Sequence, residues 1–260
     1  MAVRRSQLAA SEPYRPQIGV DVFLPSRAVL PSPNHELAAA PPYRCTQTPP
    51  ESFIAWPARI GSWGNETSAG SSWSEEAFTK ACSQPRVIIP DRDVLLAAQR
   101  CGSSNFAEFM QKRGFEVNGR FLRDGPFNAV DWTNLTTLHG AVAHAGPVKV
   151  GLAGTDLKSG RMTPGVSGWA VCDLAPAEGG DECGSVFGYG PLKRLVAIFA
   201  RHGVEVDLPP GMPAGDCYAI FVMGSVGIMD RESLLNITDE AWVRVPTTII
   251  DDGDSRLSRS

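Results

Sequence analysis

Apolar and polar positions change period near the middle of the chain. Behind a glycine turn at Ala69-Gly70-Ser71, the residues Ala77, Phe78, Ala81 and Cys82 recur at helical spacing, which predicts a helix starting at Ser72. Ser72 stands where an N-cap belongs and Glu75 follows three residues on, the pattern of a capping box, with the acidic pair Glu75-Glu76 suited to a helix N-terminus. Arg86-Val87-Ile88-Ile89-Pro90 reads as a short apolar strand or an extended link. Asp91 or Asp93 then caps a second helix with Val94, Leu95, Ala98 and Cys101 on one face, ended by Gly102. A third helix runs from about Asn105, with Phe106, Phe109 and Met110 at helical spacing and Gly114 as its stop.

Beyond residue 130 short strands take over. A short helix follows Asp131-Trp132-Thr133-Asn134, passing through Leu138, Ala141 and Val142. Gly146-Pro147 then opens residues 148–153, whose alternation predicts a half-buried strand. Residues 182–187 form another strand leading into a Gly188-Tyr189-Gly190 turn. An amphipathic helix from Leu192 to about His202 follows, then a loop at Pro209-Pro210-Gly211 and strands at 218–223 and 241–245. Before all of this, prolines from Pro13 to Pro50 break every period, so residues 1–50 are expected to be an extended Pro/Ala-rich arm with short strands such as 19–24. Residues 51–250 form the single domain, and 251–260 a polar tail.

Composition narrows the function. With 43% hydrophobic residues the 260-residue chain can build one substantial core. Its net charge of -4, with no basic run longer than the pair Arg4-Arg5, argues against a nucleic-acid partner. Six cysteines contain no C-x-x-C pair and are accompanied by four histidines, so neither a metal site nor a cofactor is expected. The thiols read as buried and reduced, or as holding a disulfide. The opening Met-Ala-Val-Arg-Arg-Ser lacks the apolar core of a secretory signal, and no stretch is long enough to cross a bilayer. The expected location is intracellular or particle-associated, without membrane contact. Sequons at Asn65, Asn134 and Asn236 read as chance, and the six tryptophans as core or groove-wall aromatics.

The order of these signals resembles the papain-like cysteine proteases over roughly residues 63–246. Gly70-Ser71-Ser72-Trp73 is similar to the end of that family's nucleophile turn, Cys-Gly-Ser-Cys-Trp, with Ser72 where the family keeps its cysteine. The three helices, with Cys101-Gly102 and Gly114-Phe115 between and after the last two, are similar to its helical half. Gly146-Pro147-Val148 is similar to the opening of its β-rich half. Gly188-Tyr189-Gly190 is similar to a turn that the catalytic histidine precedes by six residues, a place held here by Glu182. Gly224-Ser225-Val226-Gly227 is similar to Asn-Ser-Trp-Gly, with Gly224 in the asparagine's place, and 241–245 to the closing strand. The resemblance implies an α+β, papain-like fold, a helical half and a β-rich half with a cleft between; residues 192–211 would be an insertion.

Papain-like catalysis needs a thiolate, an imidazole, a group to orient it and oxyanion donors. The matching places hold Ser72, Glu182 and Gly224, and the oxyanion position falls at Asn65 or Glu66, of which only the Asn65 amide can donate. His202, 130 residues after Ser72, reads as a helix C-terminal residue before the stop at Gly203; His139 and His144 read as core or surface residues, and His35 lies in the arm. The resemblance therefore implies a pseudoenzyme whose groove, at Gly70, Ser71, Ser72, Trp73 and Glu182, binds a peptide or protein without cutting it. An assembly role, with homo-oligomer contacts through the arm, is the other form of that reading. A serine-dependent hydrolase or acyltransferase using Ser72 is the alternative, and a cysteine replaced by engineering at Ser72 a third.

Overall fold

Runs of β-branched and aromatic residues collect into one sheet that is covered on both faces, and this double burial decides where the helices go. The computed structural model describes residues 4–5, 23–24, 42–57, 72–73, 76, 87–101, 114–117, 119–125, 127–153, 168–177, 182–222, 224–244 and 248–251. Along them the strands are β1 (Arg4–Arg5), β2 (Phe23–Leu24), β3 (Phe53–Ile54), β4 (Phe115–Val117), β5 (Arg120–Arg123), β6 (Phe127–Ala129), β7 (Val148–Leu152), β8 (Gly168–Val171), β9 (Glu182–Pro191), β10 (Asp216–Val222), β11 (Ser225–Asp230), β12 (Thr238–Arg244) and β13 (Thr248–Asp251). The helices are α1 (Asp91–Cys101), α2 (Leu135–His144), α3 (Leu192–Arg201) and α4 (Arg231–Ile237); Ser72, Trp73 and Glu76 are helical too. The fold is α+β.

The main sheet runs β6-β12-β7-β9-β10-β11-β8, antiparallel except where β8 joins β11. β9 is its hub. Its first half pairs with β7, Gly188 and Tyr189 pair with β3, and β10 runs along its other side. A register shift at Ala219/Ile220 bulges the β9/β10 ladder. A separate sheet, β13-β5-β4, includes Asp251, paired with Arg120, so the expected polar tail begins inside a strand.

Alternation along β10 divides the core in two. Cys217, Ala219 and Phe221 enter a front layer with Trp73, Val94, Leu195 and Phe199, which come from the Ser72 helix, α1 and α3. Tyr218, Ile220 and Val222 enter a back layer with Leu138, Ala141 and Val142 of α2 and Leu234 and Ile237 of α4.

Several expectations need correction. β7 is buried along its whole length, Lys149 included at 1% exposure, because helices or strands cover both faces. Gly188-Tyr189-Gly190 is not a turn but the continuation of β9. Its Gly188 is needed for close approach, since a Cβ there would lie 2.7 Å from Ile54 Cγ1 and 2.9 Å from the Phe53 carbonyl oxygen. Asp91 and Asp93 do not precede α1 as a cap would but lie in its first turn, which begins at Asp91; the Pro90 carbonyl accepts its first bonds, from the Asp93 and Val94 amides. The link before it is extended, with Ile89 buried and Ile88 half exposed.

Other elements follow the sequence closely. Asn134 caps α2, its Oδ1 accepting from the Thr137 amide at 3.2 Å. α3 ends at His202, with Gly203 at φ +75 as the stop. α4, unforeseen, is capped by Asp230, whose Oδ2 accepts from the Glu232 and Ser233 amides. The expected helix from Asn105 lies outside the described residues. No described helix is long and apolar enough to cross a membrane.

Candidate functional site

Trp73 pins the helix that carries Ser72. Its indole lies 4.9 Å from the Phe187 ring and 5.9 Å, edge-on, from Phe221, so that helix rests on the front of β9 and β10. Ser72 is fully buried, and its hydroxyl has no hydrogen-bond partner among the described residues; the same holds for the Trp73 indole nitrogen. A cap needs non-helical backbone and a hydroxyl turned onto the first amides. Ser72 is itself helical, so it does not hold the non-helical place of a cap; Glu75, the other half of the expected capping box, lies outside the described residues. Glu76 does not serve the helix end through solvent either: it is buried and accepts from the Ile89 amide at 3.3 Å, tying the 87–90 link to this helix.

Of the two later positions singled out in the sequence, Glu182 opens β9 and Gly224 lies in the turn between β10 and β11. The β9/β10 ladder ends at the pair Gly184 and Val222, and Val222 pairs in turn with Ser225 of β11, so Gly224 belongs to the hairpin turn beyond the end of that ladder. Glu182 is half-buried at the start of β9. Gly224 is buried at φ +72 and offers no side chain to orient anything. Asn65, Gly70 and Ser71, the remaining candidates, lie outside the described residues.

None of the described histidines bonds to Ser72. His139 belongs to the back of the sheet, where its ring stacks on Tyr189 at 3.8 Å and 3° and its Nε2 lies 3.2 Å from the Tyr218 hydroxyl. Burial, aided by the charge of Arg231 and opposed by that of Asp216, holds its pKa below the usual histidine value. His202 stacks on Trp56 at 4.5 Å and 6°, and His144 is exposed in the last turn of α2.

Sequence reasoning missed a polar front-face cluster near the β6 edge. Lys149 and Ser185 are cross-strand partners of β7 and β9, and both are buried. The Lys149 Nζ lies 5.8 Å from the Phe127 ring centroid, and the Ser185 hydroxyl has no hydrogen-bond partner among the described residues. At the end of β12, Arg244 forms an ion pair with Asp124, both side chains almost wholly buried. Alternation reveals that such residues share a face but not that the face is covered, so only the fold discloses them.

Cys45, Cys172, Cys183 and Cys217 are in no disulfide, and burial, with the nearby carboxylates of Asp230 and Asp216, pushes the Cys217 pKa up to about 12, away from a reactive thiolate. Among the described residues, no group of three or more His, Cys, Asp and Glu side chains is placed to hold a metal ion.

No protein-family model and no curated sequence matches the chain. Among the solved structures that do match is the digestive procathepsin L2 proteinase from the Tenebrio molitor larval midgut. It is 14% identical with a TM-score of 0.48, over 82% of this chain and 76% of that one.

Proposed function

We propose that this chain is a papain-like pseudoenzyme: a body of that architecture, without peptidase chemistry, working as a peptide- or protein-binding or assembly module. The order of motifs along the sequence supports the architecture, as does a helix carrying Ser72-Trp73 packed on β9, which Glu182 opens, and on β10, which leads into the turn at Gly224. One observation carries the loss of chemistry. Ser72 has no exposed surface, and its hydroxyl touches no base among the described residues. An un-ionised serine needs such a base to attack a carbonyl, and a substrate needs a way to reach it. Glu182 and Gly224 supply neither the imidazole nor the amide that the family uses for proton transfer.

The test is turnover. The full chain, incubated with a panel of fluorogenic peptides and p-nitrophenyl esters, is expected to hydrolyse them no faster than the Ser72→Ala variant does. Hydrolysis by the unaltered chain that Ser72→Ala abolishes would overturn the proposal.

A further inference from the structure

Behind the sheet, His139 sits at the centre of contacts that have nothing to do with Ser72. They converge on residues 42–54, a strap that leads out of the N-terminal arm and crosses α2 and β9. The strap is tied at four points. The Tyr43 amide donates to the Ala129 carbonyl at 2.9 Å, and the Tyr43 hydroxyl donates to the carbonyl of Gly140, the residue after His139, at 3.1 Å. Cys45 packs on Gly140 so closely that a Cβ there would lie 2.4 Å from Cys45 Sγ. The Tyr189 hydroxyl donates to the Pro50 carbonyl at 2.8 Å, and Phe53 pairs with Tyr189 in the sheet. His139 stacks on Tyr189 while its own backbone neighbour holds Tyr43 and Cys45. The imidazole thus backs the tyrosine that holds one end of the strap, and the residue that follows it on α2 holds the other.

We propose that His139 is a pH-operated latch: neutral, it fills the gap between Tyr189 and Tyr218 and holds the strap down; protonated, it leaves that gap and the strap lifts. Every element facing the ring brings a titratable or charged group. β9 brings Tyr189; β10 brings Tyr218 and the exposed Asp216; α4 brings Arg231; the strap brings Tyr43 and Cys45. The phenols stay protonated, since burial pushes Tyr43 and Tyr189 up to about 12 and Tyr218 higher still. A proton on His139 therefore meets no counter-charge from them, and Arg231 repels it. Asp216 attracts it, but from an exposed position where water screens the attraction. Desolvation is the largest effect and acts against the proton.

The sign follows. The latched state holds His139 below its ordinary pKa, whereas the lifted state lets it titrate near about 6.5. The lifted state therefore binds more protons, and the latch is firm above about pH 6.5 and weakens as the pH falls through it, by at most about tenfold per pH unit for one proton. None of this depends on the papain-like reading.

Hydrogen–deuterium exchange on the full chain between pH 7.5 and 5.0, corrected for intrinsic rates, tests it. The Tyr43 and Ala55 amides, bonded to Ala129 and Phe187, report on the strap, and those of β10 report on the core. Strap protection is expected to fall up to about tenfold per pH unit below about 6.5 while the core stays protected. His139→Gln should abolish the dependence, and Arg231→Gln, which removes a charge that lowers the latched-state pKa, should make the fall in protection smaller and level it off at a higher pH. Strap protection that does not change with pH, an unchanged dependence in His139→Gln, or parallel loss in β10 would overturn it. Should His139→Gln not fold, Arg231→Gln decides alone: a loss of strap protection no smaller than in the unaltered chain would overturn the proposal.

Discussion

A buried hydroxyl without a partner destabilises a fold by about 1–3 kcal/mol, and that of Ser72 has none among the described residues. Replacing it with alanine removes that cost and adds helix propensity, against the loss of a little packing. Ser72→Ala should therefore raise the unfolding free energy by about 1 kcal/mol in urea titrations, whereas a capping serine would show a loss of similar size. The opposite holds for Asp124. Its partner Arg244 is almost wholly buried, so Asp124→Ala takes the counter-charge from a buried guanidinium and should cost about 3–5 kcal/mol. His139 gives a pH effect of its own. Because its pKa is lowered in the folded state, its contribution is complete above about pH 6.5 and shrinks as the pH falls below that value. Denaturation midpoints measured from pH 7.5 to 5.0 should fall more steeply for the unaltered chain than for His139→Gln.

Among the elements, those with a local cause were legible in the sequence. Asn134 before an apolar-periodic run announces α2, and the apolar stripe of 192–199 followed by Gly203 announces α3, because caps and periodicity are properties of neighbouring residues. Features set by distant contacts were not. Lys149 within an alternating run suggested a solvent face, but what covers that face comes from elsewhere in the chain. Gly188-Tyr189-Gly190 carries turn chemistry, yet the glycine serves the approach of β3, a strand about 130 residues away. Gly188→Ala should displace Ile54 and the Phe53 backbone and cost about 1–3 kcal/mol, read in the same denaturation experiment. α4 was missed because its seven residues are too short to show a period, although Asp230 was a readable cap.

At the scale of the molecule, the sequence identified an α+β chain, in which Glu182 opens β9 and Gly224 lies in the turn that joins β10 to β11. It did not foresee that Ser72 would be sealed in the front core or that a histidine would organise the back. Burial and cross-sheet contact arise only when distant segments meet, which is why motif order speaks for architecture and is silent on access. The whole account turns on whether the Ser72 hydroxyl can act as a nucleophile. A fluorophosphonate probe reacts with an activated serine and reports it by intact mass, with no need to know a substrate. The account predicts no adduct after prolonged incubation of the folded chain at neutral pH. An adduct mapped to Ser72, absent from Ser72→Ala, would contradict it.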